Sequence, residues 1–148
     1  METSIENNAA SYKIVAVVNK NIEHPGVAMN TVAHLAAGLT ASCPSEMKDK
    51  MSFIDFVDKD GFTHTSISAL SLVVLRATSG QIANLRKSAQ SERIHHVDFL
   101  ESMTGDTYKE QLENTASIPE AELSYYGIAL FGTKEQVGPL TKKFSLWK

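Results

Sequence analysis

The chain has 148 residues, 43% of them hydrophobic and 21% charged, with a formal net charge of −3. That length suits one domain with a sizeable core, and the composition is that of an ordinary globular protein, with no sign of disorder or of a membrane class. The acidic balance and the lack of a dense Lys/Arg run leave no ready grip on nucleic-acid phosphates; Arg86-Lys87 and Lys142-Lys143 read as solvated helix faces.

In chain order, Met1 to Ser11 is polar and acidic, and is expected to be a disordered tail ahead of a single α/β domain over 12–148. It lacks the charged-then-apolar pattern of an export signal, so the cytoplasm is the expected compartment. No apolar run approaches the roughly 20 residues that span a bilayer. Ile14 to Val18 is a short, β-branched run suited to a strand covered on both faces. His24-Pro25-Gly26 closes it, and from about Ala28 the period becomes helical, with Ala28, Val32, Leu35 and Leu39 as the buried stripe. Ala33, Ala36 and Ala37 are small enough for close helix approach, and Pro44 blocks continuation.

Phe53–Val57 and Phe62–Ile67 flank Asp58-Lys59-Asp60-Gly61, the turn chemistry of a hairpin. Leu70–Arg76 reads as a second buried strand. Ser79 is expected to cap a helix from about Gly80 to Ser91, with Ile82, Leu85 and Ala89 inside. His95–Leu100 is a third main strand. Thr107 and Glu110 fit a capping box for a short helix from Tyr108 to about Asn114. Tyr125–Phe131 is a fourth strand, and Thr133 with Gln136 opens a last helix to about Lys143, whose start Pro139 is expected to make irregular or late. Such alternation predicts a mixed four-stranded sheet with helices on both faces and an added β-hairpin.

Few residues carry a chemical signal. The single cysteine, Cys43, excludes an intramolecular disulfide and gives no metal spacing. Asp58, Asp60 and Gly61 imitate part of a calcium loop, but Phe56 and Ile67 stand where its first and last ligands would be. His95 and His96 are adjacent in a strand, so they point to opposite faces and cannot share an ion. There is no Gly-rich phosphate loop, Gly-x-Ser-x-Gly elbow or His-Glu-x-x-His motif, so the sequence implies neither cofactor nor metal. Asn30 and His34, at i, i+4 on the first long helix, flank its apolar stripe and are suited to a cleft at the strand ends. The plainer alternative is a buried histidine bonded to a backbone carbonyl. Asn19 and Glu101, at the ends of the first and third main strands, complete the cluster, because the carboxyl ends of strands are where open α/β sheets bind ligands.

Tyr12 to Val18 followed by the helix with Val32-Ala33-His34-Leu35-Ala36-Ala37 resembles the opening of the peptidyl-tRNA hydrolase type 2 family. The likeness continues through Val73 to Arg76 and Tyr126 to Ala129. It implies that fold, with His34 at the family histidine and Glu101 at the family's acidic position. Ile22, Pro25 and Val27 stand where that family carries lysines, and Lys20 alone is left nearby, which weighs against tRNA as a partner. Asn30 to Ala36, Asp58 to Gly61 and Ile67-Ser68 are similar to a second group, the domain of unknown function 2000 family, which carries no established activity.

Two functions from different classes follow. One is a small-ligand-binding or regulatory module, with Asn19 and Asn30 lining the site beside His34 and Glu101. The other is a peptidyl-tRNA or related ester hydrolase, in which His34 or Glu101 positions water and Lys20 stabilises charge. A homodimer built on apolar hairpin surface is a third reading.

Overall fold

Residues 2–105 and 107–148 are described by a computed structural model; Met1, at the head of the expected tail, and Asp106 lie outside the described residues. The β-branched run becomes β1 (Tyr12–Asn19), the centre of the main sheet, and Ile14 to Asn19 are all buried. Elements β4 (Leu72–Ala77), β5 (His95–Leu100) and β6 (Tyr125–Thr133) join it. β4 runs parallel to β1, whereas β6 is antiparallel to both β1 and β5, so the sheet is mixed. β2 (Phe53–Val57) and β3 (Thr63–Ser68) form the separate hairpin, on which Phe53, Phe56, Val57, Phe62 and Ile67 are exposed.

Among the described residues the sheet has five strands rather than four, because a further strand, β7 (Ser145–Leu146), gives the order β5-β6-β1-β4-β7. β7 is antiparallel to β4, and is extended by a bond from the Trp147 N–H to the Val74 carbonyl (2.9 Å). Two residues carry no periodicity, so no sequence pattern announces such a strand.

The N-terminal segment is also a correction. Glu2–Ser11 forms α1, not a disordered tail. It buries no residue, but Ala9 packs on the core and the Asn8 amide donates to Ser52 Oγ (2.9 Å) and the Asp49 carbonyl (3.3 Å). These contacts lie some forty residues away in sequence, beyond what a local pattern shows.

The long helix α2 (Pro25–Ala41) buries Ala28, Thr31, Leu35 and Leu39. Thr31 rather than Val32 is in the stripe, because its hydroxyl donates to the Val27 carbonyl (2.8 Å) and leaves the methyl to pack. Opposite it, a Cβ on Gly127 would lie 2.9 Å from both Thr31 Cγ2 and Leu35 Cδ1, so glycine lets α2 settle on β6. A short helix, α3 (Ser45–Lys48), leads into the hairpin.

The other face carries α4 (Ser79–Ser91) and α6 (Lys134–Thr141). Thr78, not Ser79, caps α4 through a reciprocal box with Gln81. Ser79 Oγ instead accepts the Tyr125 N–H (2.9 Å), tying the helix to the sheet. α6 begins at Lys134 on the Thr133–Gln136 box despite Pro139. The one bond Pro139 cannot make would reach back to the Glu135 carbonyl, and the capping box holds the first turn without it. α5 (Tyr108–Ala116) lies beside the edge strand β5, capped by Thr107. Among the described residues no helix is long and apolar enough to cross a membrane.

Candidate functional site

One geometric mismatch creates the recesses of this molecule. Five strands span about 19 Å between outer axes, whereas a helix with its side chains is about 10–12 Å wide. α4 and α6 share one face; on the other α2 is the long helix, centred on β6 with β5 and β1 beside it, with Ala9 of α1 and Met47 of α3 packed into the same core. A groove is therefore left on each flank of α2.

The groove on the β5 side has a volume near 520 Å³. His34 and Gly38 of α2 form one wall, Val97 and Phe99 of β5 the floor, and Tyr108 and Leu112 of α5 the roof. The His34 ring lies flat on Phe99, with centroids 5.1 Å apart and planes 7° apart. His34 is exposed rather than buried on a carbonyl, and its ring nitrogens bond to no protein group among the described residues. α5 is a lightly held roof: it buries no residue, and Tyr108 and Leu112 are 69% and 67% exposed.

Beyond Phe99, Tyr126 continues the aromatic row at 6.4 Å. Burial, reinforced by the nearby Glu101 carboxylate, pushes the Tyr126 hydroxyl pKa up. Glu101 opens the tight turn after β5, where its N–H donates to the Ser124 carbonyl (2.9 Å). It is exposed and lines a different, polar recess of about 310 Å³ with Ser102, Asn114 and Ser124. His34 and Glu101 thus open to separate spaces, connected through the Phe99–Tyr126 pair.

Asn19 does sit at the same sheet end as Glu101, but both its polar atoms are used by the fold. Nδ2 donates to the Tyr125 carbonyl (2.9 Å) and Oδ1 accepts the Asn21 N–H (2.9 Å). Lys20 is exposed immediately after β1, its N–H donating to the Ala77 carbonyl (2.8 Å). Asn30 is exposed one turn before His34. The sequence pattern singled out His34 but not Phe99, Tyr108 and Leu112, which share its groove only through the tertiary fold, nor Tyr126 behind Phe99.

Other sequence signals resolve into local structure. The Asp58 carboxylate accepts the Asp60 and Phe62 N–H groups (2.9 and 3.0 Å) and contacts His64 Nε2 (3.2 Å), closing the hairpin turn. His95 Nε2 meets the Leu39 carbonyl (2.8 Å) and His96 Nδ1 the Ile94 carbonyl (2.8 Å). Among the described residues, no three His, Cys, Asp or Glu side chains converge as metal ligands would. Burial pushes the Cys43 thiol pKa up, away from the reactive thiolate.

The mixed-sheet α/β fold is shared with a solved structure. The chain is similar to the protein of unknown function Atu0240 from Agrobacterium tumefaciens str. C58. The TM-score is 0.76 at 17% identity, over 93% of this chain and 98% of that one. At that identity the likeness speaks for the fold. The model of the family described as "Protein of unknown function (DUF2000)" matches residues 12–148, and the chain belongs to that family. No curated protein matches it.

Proposed function

We propose that this chain is a small-ligand-binding or regulatory protein, and that its site is the groove between α2 and α5. The observation that carries this reading is the His34 ring, stacked on Phe99 at the wall of a largely apolar space of ligand size, with its nitrogens open. The Phe99–His34 surface favours a flat, mainly apolar ligand, which can stack and accept or donate one hydrogen bond at the imidazole. The light attachment of α5 gives such a ligand a way in.

Indole is a suitable probe. Amide shifts in a nitrogen–proton spectrum should move at His34, Gly38 and Leu112 on titration, and the response should weaken about tenfold in His34→Ala at an unchanged melting temperature. Scattered shifts, or equal affinity in the variant, would remove the groove as the site.

A second reading, ester hydrolysis on peptidyl-tRNA or a related substrate, is supported by one observation: Asn19 and Glu101 both bond to the Ser124–Tyr125 segment at the carboxyl end of the sheet. Against it stand the separate recesses of His34 and Glu101 and the engaged Asn19 amide. Release of tRNA from peptidyl-tRNA, abolished in both His34→Ala and Glu101→Gln, would establish this reading over the first. No release above background would leave the binding role.

A further inference from the structure

The other flank of α2 holds a second recess, of about 500 Å³, unrelated to His34. Its floor is formed by β1 and β4, on the side of the sheet away from the β5 groove. Ile14 and Ala129 pack on the α2 side while Val15, Val17 and Leu75 pack on the α4/α6 side, so alternation turns Val18 and Val74 toward α2. Val18 and Val74 line the recess, with Ala28, Met29 and Val32 along one wall and Trp147, just past β7, on the other. The trough follows α2 from Pro25 to Ala33, about 12 Å at the rise of a helix.

A cation stands beside this apolar trough. Arg76 is the register partner of Val18 across β1 and β4, and it lies two residues beyond Val74. Both relations put its side chain on the trough's face. Arg76 is exposed and forms no ion pair among the described residues. Lys20, also exposed and unpaired among the described residues, follows β1 at the same end. An apolar trough with an unpaired guanidinium next to its Val18–Val74 floor complements one chemical class: a flexible aliphatic chain that ends in an acid, whose two oxygens match the guanidinium fork.

We propose that this trough binds a medium-chain aliphatic carboxylate, with the chain against Val74, Met29 and Trp147 and the carboxylate on Arg76. The site is separate from the His34 groove, and its fate does not depend on that reading.

Trp147 is the single tryptophan of the chain and a wall of the trough, so its emission reports occupancy directly. Hexanoate, octanoate and decanoate, each below its micellar concentration, should shift Trp147 emission to the blue. Affinity should rise roughly threefold to fourfold per added methylene while the chain still fits. Arg76→Gln should weaken decanoate about tenfold yet leave decanol unchanged, because only the charged head loses its partner. Met29→Glu, at a site 67% exposed, should repel decanoate without unfolding the protein, and His34→Ala should change nothing. The proposal is overturned if Trp147 emission ignores decanoate, or if Arg76→Gln weakens decanoate and decanol alike. It is also overturned if, without ligand, emission and mass change together with protein concentration, since a second copy would then be filling the trough.

Discussion

Gly127 shows how a single hydrogen can fix the distance between two layers. The nearest neighbours of an added Cβ are Thr31 and Leu35 side chains at 2.9 Å and the Val17 carbonyl at 3.0 Å, one of them rigid backbone. Gly127→Ala must lift α2 or bend β6, and should cost about 1–3 kcal/mol in urea unfolding. A midpoint equal to the parent's would mean that the helix is not held so closely. Asn19 invites a related measurement. Asn19→Ala strands the buried Tyr125 carbonyl and frees the Asn21 N–H, so a loss of about 1–3 kcal/mol in stability is expected. Indole binding at the His34 groove should persist in whatever fraction is folded. Tyr126 provides a pH test. Its hydroxyl pKa is raised, first by burial and then by Glu101, so ring-carbon NMR should show it titrating above an ordinary tyrosine. Because the folded value is the higher one, the associated stability is present below the ordinary tyrosine value and is lost as pH climbs through the raised one. Glu101→Gln should bring the titration part of the way down, since burial remains; an unmoved curve would place Glu101 too far away to act. At this scale His34 was legible because a polar residue beside an apolar stripe breaks a simple period. Phe99 and Tyr126 were not, because nothing local marks two aromatic strand residues as the neighbours of a helix sixty or more positions earlier in the chain.

Among the elements, the hairpin turn is held by one carboxylate. Asp58 accepts two backbone N–H groups and faces His64, and the Phe62 N–H is the largest reason its pKa is lowered. A depressed carboxylate stabilises above its ordinary range and loses that contribution as pH falls through the lowered value. The Asp60 and Phe62 amide shifts should therefore titrate together in acid, and Asp58→Ala should abolish the step and loosen the β2–β3 turn while the main sheet stays intact. Step-free amides in the parent would assign the turn to backbone geometry alone. The hairpin itself was readable, since Asp and Gly at a turn act through nearest neighbours. So were the β1 run, the inner stripe of α4 and the capping box before α6; before α5 the Thr107 hydroxyl accepts the Glu110 N–H without the reciprocal bond the box needs. The cap of α4 was misplaced by one residue because Thr78 and Ser79 offer the same hydroxyl chemistry. Only the Tyr125 N–H, arriving from β6, shows which of them is free to cap. Pro139 misled because its cost is confined to one lost bond, to the Glu135 carbonyl four residues back, and the Thr133–Gln136 box starts α6 regardless.

For the molecule as a whole, alternating strands and helices foretold a mixed sheet with both faces in use, and that is the architecture present. What they could not foretell was coverage. The sequence contains enough helices for two layers, but not the information that α4 and α6 share one face while α2 is the one long helix on the other, with Ala9 of α1 and Met47 of α3 added to its core. That asymmetry produces both grooves, and so sets where a ligand can go. The count of main strands was short by one for the same kind of reason: β7 exists because β4 offers a free edge, not because Ser145-Leu146 favours a strand.

The sheet order has a bearing on how the chain acquires its shape. β1 lies first among the strands, yet one of its edges is closed by β6, and the Asn19 amide waits for a carbonyl 106 positions downstream. During synthesis β1, α2 and β4 can assemble as a right-handed crossover, but the most apolar strand must keep one side unzipped until nearly the whole polypeptide has emerged. β5 is worse placed, since among the described residues β6 is its sole partner in the sheet. A nascent or truncated chain ending before Tyr125 would therefore carry the unpaired β5 and the open edge of β1 at once, a condition that exposes a folding intermediate to sticking to its neighbours.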